Sequence, residues 1–273
     1  MLAEAFQFLT TSCSPVSRKS GYLKQAIALE ARSRRCQKAW SLHLDKSQEL
    51  IRAAIEKCSD HREVVVLGSG LLLDVPIDDL SARFDHVVLV DMVHLRGVRR
   101  RIKAFDNVEL VELDVTGIIQ PLTNIIDPNS QRTWPEPNLD NRLFDGADLV
   151  VSANILSQLP LLPSDHLNSM GCTDDEVIHL YKRVIIDHHL RLLEDLTCAV
   201  CFMTDIERRT ISSLEAHEAE DLLLGAKPLI ETDSWMWNIA PAPEVDWQTH
   251  VHHRVVGGVV SQSAKSSAKS SAL

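Results

Sequence analysis

The sequence lacks any run of the roughly 20 apolar residues that a helix needs to cross a bilayer. Its first residues, MLAEAFQFLTT, also lack the positive charge that opens a secretory signal peptide, and Glu4 stands there instead. Positive charge is scarce along the whole chain, because 28 Lys and Arg stand against 38 Asp and Glu, a net charge of -10. An acidic chain is a poor match for the phosphates of nucleic acid. We therefore expect a cytoplasmic protein with no membrane partner, and we do not expect a nucleic-acid partner.

Patterns typical of metal sites or disulfide frameworks are also missing. The 6 cysteines are scattered over 273 residues, which favours a reducing compartment. Cys198 and Cys201 form a C-x-x-C within an apolar strand, where their side chains would point to opposite faces, and no second pair follows at zinc spacing. His250 and His252 would share a strand face, but no acid or cysteine accompanies them. The sequence therefore predicts no metal site.

Apolar runs that alternate with helical patterns make up most of the chain. Helices are predicted over residues 17–58, 76–84, 94–104, 174–193 and 212–224, and an irregular, proline-rich insertion over 117–145. Strands are predicted over residues 63–67, 86–90, 108–113, 147–152 and 196–203, and near 229–239 and 249–256.

This order of elements predicts an α/β fold. Strands that alternate with helices form a mostly parallel, Rossmann-like sheet, here with seven strands. Only about nine residues separate the last two strands, too few for a crossover, so these two must form a terminal antiparallel hairpin. We expect an N-terminal helical segment over residues 1–60, a Rossmann-like ligand-binding domain over 61–259 and a disordered Ser/Ala/Lys-rich tail over 260–273.

Residues suited to ligand binding follow four of these strands. Ligands of open α/β sheets bind at the carboxyl ends of the strands, where the strand order reverses. A Gly68-Ser69-Gly70 turn follows the first strand, and Asp91 ends the second at the spacing typical of an acid that accepts hydrogen bonds from ribose hydroxyls. Asp114 ends the third strand, where it could meet an adenine amino group. Asn154 follows the fourth strand.

In the segments VVVLGSG, VLVDM, ELDV and DLVVSANILSQL and in the terminal hairpin, the chain resembles the class I methyltransferases that use S-adenosylmethionine (SAM). The resemblance covers roughly residues 63–258. It implies SAM as cofactor and, as the reaction, methyl transfer to a small-molecule or otherwise unidentified acceptor. It also implies the cofactor contacts: Gly68, Ser69 and Gly70 along SAM, Asp91 and Met92 at the ribose, Asp114 and Val115 at the adenine, and Ser152 at the methyl-transfer end.

The chain departs from the family pattern around the glycine turn. Val66 stands where an acid is common, and Leu72 stands where a third glycine is common. The next helix is expected to start late, near Pro76. Asp74 could replace the missing acid as a partner of the ligand's ammonium group, or it could simply favour the N-terminus of the helix.

Four residues are candidates for catalysis. Asp74, His94 and His188 are candidate bases for an oxygen or nitrogen acceptor. Asn154 could orient the nucleophile, although capping of a helix is an equal alternative. Each histidine also has a structural interpretation, at a helix start for His94 and along a long helix for His188.

Two other functions fit part of this pattern. An NAD(P)-dependent oxidoreductase would use the same glycines and Asp91, but its pyrophosphate needs a helix N-terminus directly after the glycines. A non-catalytic relative of the methyltransferases would bind a ligand or a partner without turnover. The sequence SANI at 152–155 lacks the Asn-Pro-Pro-aromatic signature of base-amino methyltransferases, so the acceptor is not indicated.

Overall fold

A mixed sheet forms the centre of the computed structural model, which describes residues 2–125, 134–172, 174–212 and 219–261. Five strands run parallel to one another in the order β3-β2-β1-β4-β5. Next to β5 lies β8, antiparallel to it, and β7 follows at the edge, antiparallel to β8. The strands are β1 (Glu63–Leu67), β2 (His86–Asp91), β3 (Val108–Glu112), β4 (Leu149–Ala153), β5 (Ala199–Ser212), β6 (Glu220–Asp221), β7 (Asp233–Ala240) and β8 (Thr249–Val260). The expected parallel sheet with a terminal antiparallel hairpin is confirmed, and the two-residue β6 adds to it by pairing with β5.

Helices cover both faces of this sheet. The N-terminal helices are α1 (Leu2–Thr10), α2 (Pro15–Lys19), α3 (Tyr22–Arg35) and α4 (Gln37–Lys57). The others are α5 (Ile77–Arg83), α6 (Arg96–Arg101), α7 (Ile119–Thr123), α8 (Leu161–Ser169) and α9 (Asp175–Asp195). On one face, Ile51 and Ala54 of α4 pack with Val64 and Val66 of β1. On the other face, Ile186 of α9 belongs to the core that contains Val65 and Leu67.

The sheet reverses its strand order between β1 and β4. The chain proceeds outward from β1 through β2 to β3, and then returns to place β4 on the other side of β1. A crevice forms outside the carboxyl ends of the strands at such a reversal. The residues after β1 and β4 therefore border the expected ligand site.

The region after β5 corrects two predictions. The fifth strand was expected to end at residue 203, but β5 continues to Ser212 because its second half pairs with β8, as far as Ser212 opposite Thr249. The helix predicted over 212–224 is wrong for 219–224, where β6 and a turn lie instead. The Asp221 carboxylate holds this turn by accepting hydrogen bonds from the amides of Leu223, at 2.8 Å, and Gly225, at 2.6 Å. Residues 213–218 lie outside the described part of the chain.

The insertion at 117–145 is only partly irregular. It contains α7 and a 3₁₀ turn at Asn141–Phe144, while residues 126–133 lie outside the described part. Helix α8, which was not predicted, accepts Pro163 because a proline in the first turn of a helix removes no intrahelical hydrogen bond. The boundaries predicted for the three parts of the chain stay a prediction, and residues 262–273 of the predicted tail are not described. No helix in the described ranges is both long and apolar enough to span a membrane.

Candidate functional site

The turn after β1 requires glycine at its first position. Gly68 has φ +78° and Gly70 has φ +50°, both in the left-handed region. A Cβ atom on Gly68 would lie 1.7 Å from Cγ2 of Ile155, in the loop after β4. The amides of Gly68 and Ser69 donate to the carbonyl of Val90, at 2.9 and 3.1 Å. The turn is therefore fixed to β2 on one side and touches the loop after β4 on the other.

Asp91 stands at the end of β2 beside this turn. Its Oδ2 accepts a hydrogen bond of 2.8 Å from the amide of Gly70, and its Oδ1 a long one of 3.4 Å from the amide of Val93. Burial raises the pKa of the Asp91 carboxyl. The next residue, Met92, is bound through its carbonyl to the hydroxyl of Ser17 in α2, at 3.1 Å. The predicted ribose-binding acid thus lies against the glycine turn, in a fixed orientation.

A second carboxyl, that of Asp74, lies close enough to interact with Asp91. Helix α5 begins only at Ile77, so Asp74 belongs to the loop and not to the first turn of the helix. Burial raises the pKa of Asp74 to about 6, and the charge of Asp91 also acts to raise it. A carboxyl whose ionisation is disfavoured by burial and by a nearby negative charge would be stabilised in its charged form by a cation.

Asp114 uses both of its carboxylate oxygens in hydrogen bonds to nearby residues. Its Oδ1 accepts from the amide and the hydroxyl of Thr116, at 2.9 and 2.6 Å, and its Oδ2 from the amide of Ile119, at 2.9 Å. The carboxylate therefore fixes the start of α7. Val115 beside it is buried in the core on the α9 face. Their contact with an adenine stays a prediction.

His94, a candidate base, is fully buried behind Asp91. Its Nε2 lies 3.2 Å from the carbonyl of Val111 and therefore carries the proton that it donates. Burial lowers the pKa of His94, which keeps the ring neutral. Its Nδ1 is buried and has no hydrogen-bond partner in the part of the chain that the structure describes.

The other candidate base, His188, lies half-buried on α9, and burial lowers its pKa. None of its hydrogen bonds or ion pairs within the described ranges reaches the strand-end residues. Its neighbour His189 is buried instead and has its Nε2 3.0 Å from the hydroxyl of Ser152. Burial lowers the pKa of His189 to about 3. The Ser152 hydroxyl, expected at the methyl-transfer end, thus binds a neutral imidazole inside the protein.

Asn154 adopts an unusual backbone conformation directly after β4. Its φ is +53°, in the left-handed region that asparagine tolerates better than most residues. Its amide donates to the carbonyl of Met203 at 3.0 Å. Its side-chain Oδ1 is buried without a hydrogen-bond partner among the described residues, as is the hydroxyl of Ser69. These are two unsatisfied polar atoms at the edge of the crevice, where a ligand could supply the partners.

One residue of the site escaped the sequence analysis. Tyr22, at the start of α3, packs in a cluster with Leu71 and Met92. Burial raises the pKa of its hydroxyl, and the nearby charges of Asp114 and Asp91 raise it further. Tyr22 therefore lies near Asp91, which ends β2, and Asp114, which follows β3. The only signal for it was its position after Gly21 at the start of a predicted helical region.

No family model and no curated protein matches this chain. Several solved structures are similar to it at low identity. The N-methyltransferase NodS from Bradyrhizobium japonicum WM9, in complex with S-adenosylhomocysteine, is 12% identical over 78% of this chain and 86% of its own, with a TM-score of 0.35. The 1,6-didemethyltoxoflavin-N1-methyltransferase from Burkholderia thailandensis is also 12% identical, over 79% of this chain and 77% of its own, with a TM-score of 0.36.

A third similar structure, the DhpI-SAM-HEP complex, is 14% identical over 89% of this chain and 99% of its own, with a TM-score of 0.35. TM-scores at this level do not establish a common fold. The fold assignment therefore rests on the order and direction of the strands described above.

Proposed function

We propose that this protein is an enzyme that transfers a methyl group from SAM to a small-molecule acceptor. The observation that carries the proposal is the pair of neighbouring carboxyls, Asp74 and Asp91, beside the glycine turn at the strand-order reversal. SAM presents two ribose hydroxyls and two cationic groups, an ammonium and a sulfonium. The Asp91 carboxylate beside the turn matches the hydroxyls, and the Asp74 carboxylate in the loop after the turn matches the positive charge.

The residues at this edge fit such a cofactor. Asp91, held by the amide of Gly70, would accept hydrogen bonds from the ribose, and Asp74 would face the ammonium group. The unsatisfied oxygens of Ser69 and Asn154 would find donors there. When it is bound, SAM supplies a methyl group that is already activated by the sulfonium. The task of the protein is then to align the acceptor with the methyl carbon and to exclude water.

The same carboxyls argue against NAD(P). A pyrophosphate is stabilised by a helix N-terminus directly after the glycines, whereas α5 begins seven residues after Gly70, at Ile77. The backbone between them carries Asp74, whose negative charge would repel a phosphate. The glycine turn therefore suits a cationic ligand better than an anionic one.

Calorimetry with S-adenosylhomocysteine and NAD tests the proposal. We expect S-adenosylhomocysteine to bind and NAD to bind more weakly or not at all. Asp91→Ala removes two charge-assisted hydrogen bonds and should weaken both S-adenosylhomocysteine and adenosine by about 100-fold. Tighter binding of NAD, or unchanged nucleoside affinity in Asp91→Ala with an unchanged melting temperature, would contradict the proposal.

We also propose that the protein works in the cytoplasm. None of the six cysteines, all of which lie in the described ranges, is in a disulfide, and three of them, Cys36, Cys198 and Cys201, are buried. Cysteines kept in the reduced form suit a reducing compartment. Fractionation of cells that express the tagged protein tests this location, and recovery in an extracellular or membrane fraction would contradict it.

A further inference from the structure

A buried aspartate and a histidine form a hydrogen-bonded pair beyond the end of β4. Asp205 lies in β5 and is buried, and its Oδ2 is 2.5 Å from Nδ1 of His253 in β8. The other oxygen, Oδ1, accepts a hydrogen bond from the hydroxyl of Ser157. A carboxylate at Nδ1 fixes the proton on that nitrogen and leaves Nε2 with its lone pair. Nε2 of His253 makes no hydrogen bond within the described residues.

The loop after β4 connects this pair to the glycine turn. Ile155 is in contact with Gly68, and Ser157, two residues later, is bonded to Asp205. Two residues span at most about 7 Å between Cα atoms. The Asp205–His253 pair therefore lies just past the carboxyl end of β4, on the side of the crevice away from Asp91.

The other histidine near this pair is not a comparable base. His43 of α4 stacks on Trp237 with ring centroids 4.0 Å apart, and its Nδ1 accepts a hydrogen bond of 3.1 Å from the indole N–H of Trp235. Burial lowers the pKa of His43 to about 4. The ring of His253 meets Trp237 at a centroid distance of 6.1 Å with the ring planes nearly perpendicular. His43 is thus a neutral ring inside an aromatic core, and His253 is the ring at its margin.

We propose that His253, oriented by Asp205, is the general base that accepts the proton of the methyl acceptor. This inference rests on the proposed function. It assigns the acceptor to the neutral O–H or N–H compounds, since a carboxylate or a tertiary amine has no proton to give. The acceptor oxygen or nitrogen forms a bond to the methyl carbon as the carbon–sulfur bond breaks and its electrons remain on sulfur. The acceptor proton moves to Nε2 of His253, and Asp205 is the positioning residue that stabilises the imidazolium.

Nitrogen NMR of histidine-labelled protein tests this assignment without an acceptor. Two-bond ¹⁵N–¹H correlations distinguish the tautomers, and loss of one signal in His253→Gln assigns the resonance. We expect the neutral ring of His253 to carry its proton on Nδ1 and to have a bare Nε2. Asp205→Asn should convert it to the Nε2-protonated or mixed form, while the calorimetric affinity for S-adenosylhomocysteine changes less than about twofold.

A cofactor analogue then tests whether His253 faces the transferred group. Sinefungin carries an amine where SAM carries its methyl group, so it should shift the Nε2 resonance of His253 more than S-adenosylhomocysteine does. His252→Gln, one residue away on β8, is the matched control and should leave this response unchanged. The inference is overturned if Nε2 carries the proton, or if sinefungin leaves the Nε2 resonance of His253 unshifted although both analogues bind. Either result leaves the proposed function standing. If neither analogue binds, the proposed function fails and the inference fails with it.

Discussion

Two halves of the sheet carry different chemistry at the same edge. In the parallel half, β1 to β4, the strand ends carry carboxyls and glycines: Asp91 and Asp74 lie beside Gly68 and Gly70. The other half consists of β5, β7 and β8, and we call it the ribbon half. At the same edge of the sheet, it carries imidazoles and indoles around Asp205. This difference indicates that the parallel half is suited to bind a ligand that carries positive charge and hydroxyl groups, and that the ribbon half is suited to proton transfer. The proposed division between cofactor and acceptor follows from this contrast, and the predictions below test it.

The largest effect is expected at Gly68. In Gly68→Ala the Cβ would collide with Ile155 at 1.7 Å, and the residue would keep φ +78°. We expect a loss of unfolding free energy of about 3 kcal/mol or more, measured by urea denaturation. Gly97→Ala in α6 is the control, because its Cβ would meet nothing closer than 3.6 Å, so it should be neutral or stabilising by up to ~1 kcal/mol. Equal stability of the two variants would mean that the turn and the loop after β4 are not in contact.

The next effect concerns the charge of Asp74. The folded protein holds the proton of this carboxyl more tightly than the unfolded chain does, because burial raises its pKa to about 6. Its contribution therefore lowers the unfolding free energy as the pH rises from about 4 to about 6, and the loss persists above that range. Without ligand, we expect the unfolding free energy of Asp74→Asn to exceed that of the natural protein by ~2 kcal/mol at pH 8. At pH 4 this difference should be absent.

Ionisation of Asp74 should lower the stability of the protein but raise its affinity for the ligand. Because the ionised form of Asp74 attracts an ammonium group, the affinity for S-adenosylhomocysteine should rise between pH 5 and pH 7.5. At pH 7.5, Asp74→Asn should weaken this affinity by about tenfold. The exposed Asp78, paired with Arg101 in a surface ion pair, provides the control Asp78→Asn, which should change neither quantity. A pH-independent affinity in the natural protein would show that Asp74 does not meet the ligand.

A smaller effect is expected in the ribbon half. Trp235→Phe removes the indole N–H that donates to Nδ1 of His43 and leaves that buried nitrogen unpaired. Thermal denaturation should show a loss of ~1 kcal/mol, and the affinity for S-adenosylhomocysteine should stay unchanged. Trp247→Phe is the control at a side chain that is 86% exposed, and it should have no effect. A clear loss of cofactor affinity in Trp235→Phe would contradict the proposal that the parallel half alone binds the cofactor.

The smallest effect is expected at the ion pair that joins helix α3 to the ribbon half. Arg35 of α3 binds Glu244, between β7 and β8, through two hydrogen bonds of 2.7 and 2.8 Å. The Arg35 side chain is half exposed, so Glu244→Gln should lower the unfolding free energy by only ~0.5 kcal/mol at low salt. The difference should vanish at 1 M NaCl, where the Debye length is about 3 Å. A loss that persists at high salt would show that packing, and not charge, joins α3 to the hairpin.

The sequence predicted the parallel half well. After their first residue, the runs EVVVL at 63–67 and HVVLV at 86–90 are buried on both faces of the sheet and are therefore apolar, and a glycine or an acid marks where each ends. The same local signal placed Gly68, Gly70 and Asp91 together. It could not show that Asp114 uses its oxygens to hold α7, because that depends on how the chain turns after β3.

The ribbon half was harder to predict because its contacts are distant along the chain. The second half of β5, TDIERRTIS, is polar and partly exposed, and only its pairing with β8 makes it a strand. Asp205 and His253 are 48 residues apart and meet through that pairing. Tyr22 reaches the parallel half from a helix that precedes the whole sheet. Nothing near these residues in the sequence indicates their partners.

The position of α3 has a consequence for shortened forms of the protein. Its first residue, Tyr22, lies by the strand ends of the parallel half, and its last, Arg35, binds the loop between β7 and β8. A helix of 14 residues is about 21 Å long, so this single element reaches across the crevice from one side to the other. A chain trimmed to begin at Gln37 would keep every strand and yet lose the packing of Tyr22 against Leu71 and Met92 and the bonds of Arg35 to Glu244, so the strand ends that α3 covers would be more exposed to water.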